Sequence, residues 1–408
     1  MAKLTKYVSV TFTGGSNDGS TTNPYTTIEA ARDDIDGTTD VGPHYIILSE
    51  SSAATTTYSA SYGMPANSEQ DLWIGDIGYG VIVSGAHGQD IVIDGGGSAN
   101  KSAFILWGSG SGIHNVTITD YGTQANRGYG VIKANYRPSD IRGVTIYGNN
   151  QAGITNFGDR GNTGGLTVID SCKVHLTADD VSGISTATSY NPGHILVNNC
   201  LVVVSGSASS APTKAIYIRN GNTSQATASF NTLIAKVNKA LHTDSLFGIT
   251  TDLAQNNIVS SSLPSTGIRT SWINADVAND NFYAGYTSQN VTDGVRRTSD
   301  GTSASFDSTE LRYGQSQTVT LFNSPDIDSI YADWTLASGS PALNAGSALS
   351  YFNFTLVDLS GAVRADPPDM GAFEGAAGYA NIVIGVVAGS LGKVLDVASA
   401  DISKVLGT

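Results

Sequence analysis

Asp170, His175, Asp179 and Asp180 fall within eleven positions of one another in the middle of the sequence. Grouped carboxylates are what glycoside hydrolysis needs. It uses an acid and a second carboxylate, about 5 Å apart in retaining enzymes and about 6.5–9.5 Å apart in inverting ones. Asp170 and Asp180 facing one groove would supply that pair; the simpler reading of Asp179-Asp180 is a solvated corner turn leading into Val181. Lys133, Arg137 and Arg142 form a basic group that could hold an anionic sugar, or could pair with surface carboxylates. Elimination at an acidic sugar would call on such a base, often beside Ca²⁺ held by several aspartates. Asp94, in Ile93-Asp-Gly-Gly-Gly97, reads as a strand-ending turn, and Ser16-Asn-Asp-Gly19 is short of the oxygen ligands of a calcium loop. The six histidines (44, 87, 114, 175, 194, 242) lack metal-ligand spacing. Neither a phosphate-binding glycine loop nor a Ser or Cys nucleophile motif is present. Trp73, Trp107, Trp272 and Trp334 could stack on sugars, although core or cap packing accounts for each. The sequence therefore nominates no catalytic residue, no cofactor and no metal ligand.

The background composition limits what could position such groups. Only 14% of the 408 residues are charged, 40% are hydrophobic and 47 are glycine. That is too few charged residues for a helical bundle and too much apolar character for disorder. Short β-branched runs broken by Gly, Asn and Ser indicate an all-β chain with frequent turns. The formal net charge of −14 disfavours nucleic acid and anionic lipid as partners and leaves neutral glycans open. No secretory signal is evident in Met1–Val8, and the longest apolar stretch, Ile382–Ala388, is too short to span a bilayer. We therefore expect no membrane insertion and no Sec export. Two cysteines do not make a disulfide framework.

An internal register emerges on alignment. Ile113–Ile118, Ile141–Ile146, Ile169–Val174 and Val197–Val202 share one pattern, in which Val116, Val144, Cys172 and Cys200 recur every 28 residues. Asn115, Gly143, Ser171 and Asn199 precede them, and weaker copies follow at Phe230–Ile234, Asn257–Val259 and Asn281–Tyr283. A second ladder pairs a small residue with a larger apolar one: Ala103-Phe104, Gly130-Val131, Gly153-Ile154, Gly183-Ile184, Ala215-Ile216, Ala240-Leu241 and Gly267-Ile268. Two interleaved ladders with a common mean period imply stacked coils of roughly 23–32 residues, about 4.8 Å apart. The expected fold is all-β: a single-stranded right-handed parallel β-helix, with an N-terminal capping helix and a C-terminal cap. Cys172 and Cys200 then stack inward, as free thiols rather than a disulfide. Asn115, Asn199, Asn231 and Asn257 fall near a corner, where an amide ladder would satisfy turn backbone.

Both ends carry a resemblance. Tyr7-Val8-Ser9 followed by Asn23-Pro-Tyr-Thr-Thr-Ile28 resembles the opening segment of many bacterial and phage parallel β-helix proteins, where it precedes a capping helix. Thr26 or Thr27 would cap that helix, with Ile28, Ala31 and Ile35 on its buried face. Asp333-Trp-Thr-Leu336, Ser340-Pro-Ala-Leu-Asn-Ala-Gly346, Asp358–Gly361, Arg364 and Pro368-Asp-Met-Gly-Ala-Phe-Glu374 are similar, in order, to the closing segment of such proteins. Arg364 has Asp358, Asp369 and Glu374 as candidate partners, and Gly371 suits a tight turn. The resemblance implies a fold, and only loosely a function, because β-helices host lyases, hydrolases, adhesins and phage spikes alike.

The boundaries that follow are an N-terminal cap over 1–45, coils over 46–286, irregular coils or a hairpin and the C-terminal cap over 287–377, and a tail over 378–408. In the tail, Ile382-Val-Ile-Gly, Lys393-Val-Leu-Asp and Lys404-Val-Leu-Gly repeat every eleven residues, compatible with a helix or with strand-turn units. These repeats resemble those closing some phage and marine-virus structural proteins, which implies docking or oligomerisation through residues 378–408. The expected function is a virion structural protein: a phage fibre, spike or decoration subunit. It would be a homo-oligomer, a trimer by analogy, and would join other virion proteins and attach to host surface polysaccharide. The alternatives are a polysaccharide depolymerase (lyase or glycoside hydrolase) of tailspike or secreted type, and an extracellular bacterial adhesin or filament subunit.

Overall fold

The computed structural model describes residues 3–36, 42–50, 56–59, 72–75, 79–98, 102–121, 130–134, 137–148, 152–157, 165–178, 182–186, 194–206, 214–219, 225–235, 239–244, 253–255, 257–261, 273–274, 278–279, 282–285, 296–297, 303–304, 311–313, 321–346, 357–365, 367–375, 382–383 and 386–387. Three parallel sheets run along one solenoid. The first has ten strands, from Thr5–Val8 to Ala278–Asn279, the second has ten, from Thr56–Ser59 to Leu311–Tyr313, and the third has seven, from Leu72–Ile74 to Lys239–Asp244. Each circuit visits the first, second and third sheet in turn, so every strand pairs with its counterparts one coil away.

The 28-residue ladder survives intact. Thr117, Thr145, Lys173 and Leu201 are registered partners, which stacks the preceding Val116, Val144, Cys172 and Cys200. All four are buried, and both cysteines are free thiols. The residue before each makes the corner between the first and second sheets: Asn115, Gly143, Ser171, Asn199 and Phe230 have φ between 53° and 61°. Short polar side chains and glycine tolerate this left-handed backbone, whereas phenylalanine does so at a cost.

The asparagines divide into two columns. Asn115 and Asn199 turn the corner, while Asn231 and Asn257 continue the inward column one residue later, above Cys200. That column is a run of side-chain donors. Cys172 Sγ and Cys200 Sγ lie 3.3 and 3.1 Å from the Asp170 and Asn198 carbonyls of their own coils and 3.7 Å from the Ile141 and Ile169 carbonyls of the neighbouring coil. Asn231 Nδ2 and Asn257 Nδ2 donate to the Val197 and Ala228 carbonyls at 3.0 and 2.8 Å. The Ile141, Ile169, Val197 and Ala228 carbonyls occupy one register position of the first sheet. The asparagines also accept: the Cys200 and Asn231 amides donate to Asn231 Oδ1 and Asn257 Oδ1 at 2.9 and 3.0 Å.

The second ladder holds with one correction. Phe104, Ile132, Ile154, Ile184, Ile216 and Leu241 are in register, so Ile132 rather than Val131 occupies the position. The slip arises because Val131 is also buried and the segment before it varies in length. The small residues beside this column are steric: a Cβ on Gly183 would lie 2.2 Å from Val202 Cγ1 and 2.7 Å from the Ala215 carbonyl. Gly267-Ile268 lies outside the described residues.

The helix Ile28–Asp36 closes the N-terminal end. Its Thr27 cap accepts the Ala30 amide at 3.1 Å, and Ile28, Ala31 and Ile35 extend the coil core. Within 287–331, Arg296–Arg297 pairs antiparallel with Ser303–Ala304, a hairpin joined to the Ile273–Asn274 strand.

The closing segment lies on the flank. Leu201, Val203, Ile234 and Ile258 project outward from the second sheet and share a second apolar core with Leu321, Phe322, Trp334, Leu336, Met370 and Phe373. Phe322 and Trp334 meet edge to face, centroids 5.3 Å apart. Arg364 anchors the seam, through Nη1 to Glu374 Oε2 (3.2 Å) and through Nη2 to Asn199 Oδ1 (2.6 Å) and the Gly371 carbonyl (3.0 Å). Its guanidinium also sits 4.1 Å over the Phe230 ring. Asp358 and Asp369 bind backbone amides instead, including Glu374 N on Asp358 Oδ2 at 2.7 Å. Gly371, at φ +89°, is required: a Cβ would lie 2.6 Å from Ile258 Cδ1. Outside this segment, a second hairpin pairs Ile382–Val383 with Val386–Val387. The rest of 378–408, including the Lys393 and Lys404 copies of the eleven-residue repeat, lies outside the described residues.

Candidate functional site

Strand alternation sends every second side chain of the first sheet outward. On four successive coils His114, Arg142, Asp170 and Asn198 are registered partners, forming one polar column parallel to the solenoid axis. Asp140, two residues before Arg142 on the same strand, stands beside that column. The corner residues that follow this sheet fix the register: each turn begins immediately after the column, at Asn115, Gly143, Ser171 and Asn199.

The groups are electrically coupled. Arg142 Nε contacts Asp140 Oδ1 at 2.6 Å, and His114 Nε2 lies 3.3 Å from Asp140 Oδ2. Asn198 Nδ2 donates to Asp170 Oδ1 at 3.3 Å. Burial alone would raise the Asp140 pKa, but His114 and Arg142 outweigh it and hold the carboxyl below its ordinary value. At Asp170 burial wins: desolvation lifts the pKa against Arg142, Ser171 and Asn198, and the Asp140 charge adds to the lift. The pKa values of two carboxyls on adjacent coils are thus shifted in opposite directions, Asp140 down and Asp170 up. Acid–base chemistry on sugars uses such an asymmetry. A row of donors and acceptors repeating once per coil also suits an extended chain of hydroxyl-rich units.

The groups proposed from sequence are only partly assembled. Asp170 joins Arg142 in the column, whereas His175 belongs to the outer face of the second sheet. Asp179 and Asp180 lie outside the described residues. Lys133 sits on the third sheet with Nζ 4.8 Å from the Phe157 ring centroid, so Lys133 and Arg142 do not form one group. Asp94 accepts the Gly96 amide at 2.9 Å, making a local turn within its strand, and Asp18 does the same for Ser20. Trp334 is a core residue of the closing segment. Asp140 and the partnership of His114 escaped sequence reading. The signal was present, since His114, Arg142, Asp170 and Asn198 are themselves 28 residues apart, the period already visible in the apolar positions.

No family model and no curated relative matches the chain. Among solved structures it is similar to pectate lyase Pel9A, with 14% sequence identity and a TM-score of 0.47, over 92% of this chain and 97% of that one.

Proposed function

We propose that this chain is a β-helical structural subunit of a virus particle, a fibre, spike or decoration protein, that presents the His114–Asn198 column to a host surface polysaccharide. The observation that carries the glycan-binding role is the column itself, in which His114, Arg142 and Asp170 reach the surface in strict register on successive coils while Asn198, 2% exposed, backs Asp170. The eleven-residue repeat over 378–408 supports the assembly role, as the segment that joins other virion proteins or further copies in a homo-oligomer, taken by analogy as a trimer. A purified full-length chain is to be screened by biolayer interferometry against neutral and acidic bacterial polysaccharides. Binding to one class, lost on combined His114→Ala and Arg142→Ala substitution, is the expected result. Binding that survives both changes sinks the assignment of the column. Removal of residues 378–408 should abolish oligomerisation in analytical ultracentrifugation, and an unchanged oligomer refutes the role given to the tail.

The divergence of Asp140 and Asp170 favours a second reading, in which the column cleaves the glycan it binds. Asp170 would protonate the leaving glycosidic oxygen while the Asp140 carboxylate takes a proton from the water that attacks the anomeric carbon. New reducing ends, abolished by Asp170→Asn, distinguish cleavage from binding alone.

A further inference from the structure

A different face of the molecule carries a second concavity. The outer columns of the second sheet change character along the axis. Thr145 and Tyr147 give way to Lys173 and His175, and these to Leu201, Val203, Thr232 and Ile234. The closing segment seals the apolar end. Where it stops, a crevice of about 210 Å³ remains, lined among others by Tyr147, Lys173, His175, Ile330, Asp333 and Trp334. Its volume equals the liquid share of roughly seven waters, the scale of one sugar ring.

One wall is left chemically incomplete. His175 is 5% exposed, and its Nε2 has no hydrogen-bond partner among the described residues. A buried polar nitrogen of this kind is normally satisfied by water or by a ligand. Burial lowers the His175 pKa, although the hydrogen bond to the Ile327 backbone and the charges of Asp328 and Asp326 pull the other way. Asp333 Oδ1 is engaged by the Thr335 amide at 3.0 Å, which fixes the carboxylate at the rim. Tyr147 and Trp334 also line the crevice, Trp334 from within the core of the closing segment.

We infer that this crevice is a binding site for a single neutral hexose unit. Lys173, His175 and Asp333 would hydrogen-bond its hydroxyls, and Tyr147 would pack against the ring. An ammonium and a carboxylate meet neighbouring hydroxyls as donor and acceptor, and aromatic faces cover the C–H side of a pyranose. Charge bears on the ligand class: among the lining residues Lys173 and Asp333 balance, so the crevice has no net charge to favour an ionised sugar over a neutral one. The site is independent of the column on the first sheet.

Saturation-transfer NMR on the full chain with methyl glucoside, galactoside and mannoside tests the inference. Transfer to at least one glycoside is expected, together with a shift of the His175 Cε1–H resonance. Tyr147→Ala and Lys173→Met should each weaken binding at least tenfold without moving the unfolding midpoint, and Arg142→Ala should leave it unchanged. Absence of transfer to all three glycosides at millimolar concentration overturns the inference. So does transfer without a His175 shift, which needs no variant to fold. Loss of binding on Arg142→Ala would place the sugar on the first sheet and overturn it equally.

Discussion

At the residue scale, the inward column shows that one position can be filled by different chemistry for a shared purpose. Asn231 and Asn257 direct a donor at a carbonyl of the adjacent coil, whereas the thiols of Cys172 and Cys200 lie within reach of that carbonyl and of a nearer one on their own coil. Asn231→Leu strands the Cys200 amide and removes a second donor from the Val197 carbonyl, and an unpaired buried group costs about 1–3 kcal/mol. A loss of about 1–3 kcal/mol is expected in urea unfolding. Cys200→Asn, which keeps a donor at similar volume, should cost less than Cys200→Leu. Burial, reinforced by Cys172, pushes the Cys200 thiol well above its ordinary pKa. Because only the thiolate reacts, Cys200 should resist iodoacetamide at pH 8 in the native protein and label rapidly in denaturant. Native labelling as fast as unfolded labelling would contradict its placement. The sequence revealed this column through its 28-residue spacing. It did not reveal that Asn231 and Asn257 leave the corner, because Phe230 takes the left-handed position that asparagine fills elsewhere.

At the element scale, Phe230 is the costly residue of the corner series, and its ring is the platform for Arg364. Phe230→Asn should relieve backbone strain of about 1–3 kcal/mol while removing the stack, worth about 2 kcal/mol when desolvated. Phe230 is also buried, so the substitution loses the burial of its ring in either background. In an Arg364→Ala background no stack is left to lose, so the same substitution should destabilise by about 2 kcal/mol less than it does in wild type. Thermal melts of the four proteins measure this coupling, and additive effects would deny it. The closing segment itself was legible as ordered motifs, Ser340–Gly346 and Pro368–Glu374. Its lateral seat was not, because sequence shows which positions alternate but not which outward faces are apolar enough to be covered. Leu201, Val203 and Ile234 reveal that only once the register is known.

At the scale of the whole molecule, the seam between flank and coils is pH-sensitive. Desolvation raises Glu374 against its backbone hydrogen bonds and Arg364, and it raises Asp369 as well. A carboxyl whose folded pKa exceeds its unfolded value stabilises the fold fully below the unfolded value, near 4, and that contribution is lost as pH rises through the folded pKa. Wild type should therefore lose stability relative to Glu374→Gln between pH 4 and 7, with Trp334 fluorescence reporting the seam. A relative gain with rising pH would mean that the Arg364 ion pair dominates instead. The solenoid was thus readable from spacing, and so in retrospect was the polar column, whereas the seam depended on contacts between residues 140 or more positions apart. Those distant contacts have a mechanical consequence. In a plain solenoid each coil is held only by its neighbours, so tension applied at the C-terminal side peels coils one after another. Here Ala372 is tied to Thr232 and Arg364 to Asn199, and the chain from 259 to 320 becomes a closed loop outside the line of force. Load arriving through residue 375 passes directly to the coils around 199–258 as shear across the seam, so the intervening coils are shielded until the seam ruptures.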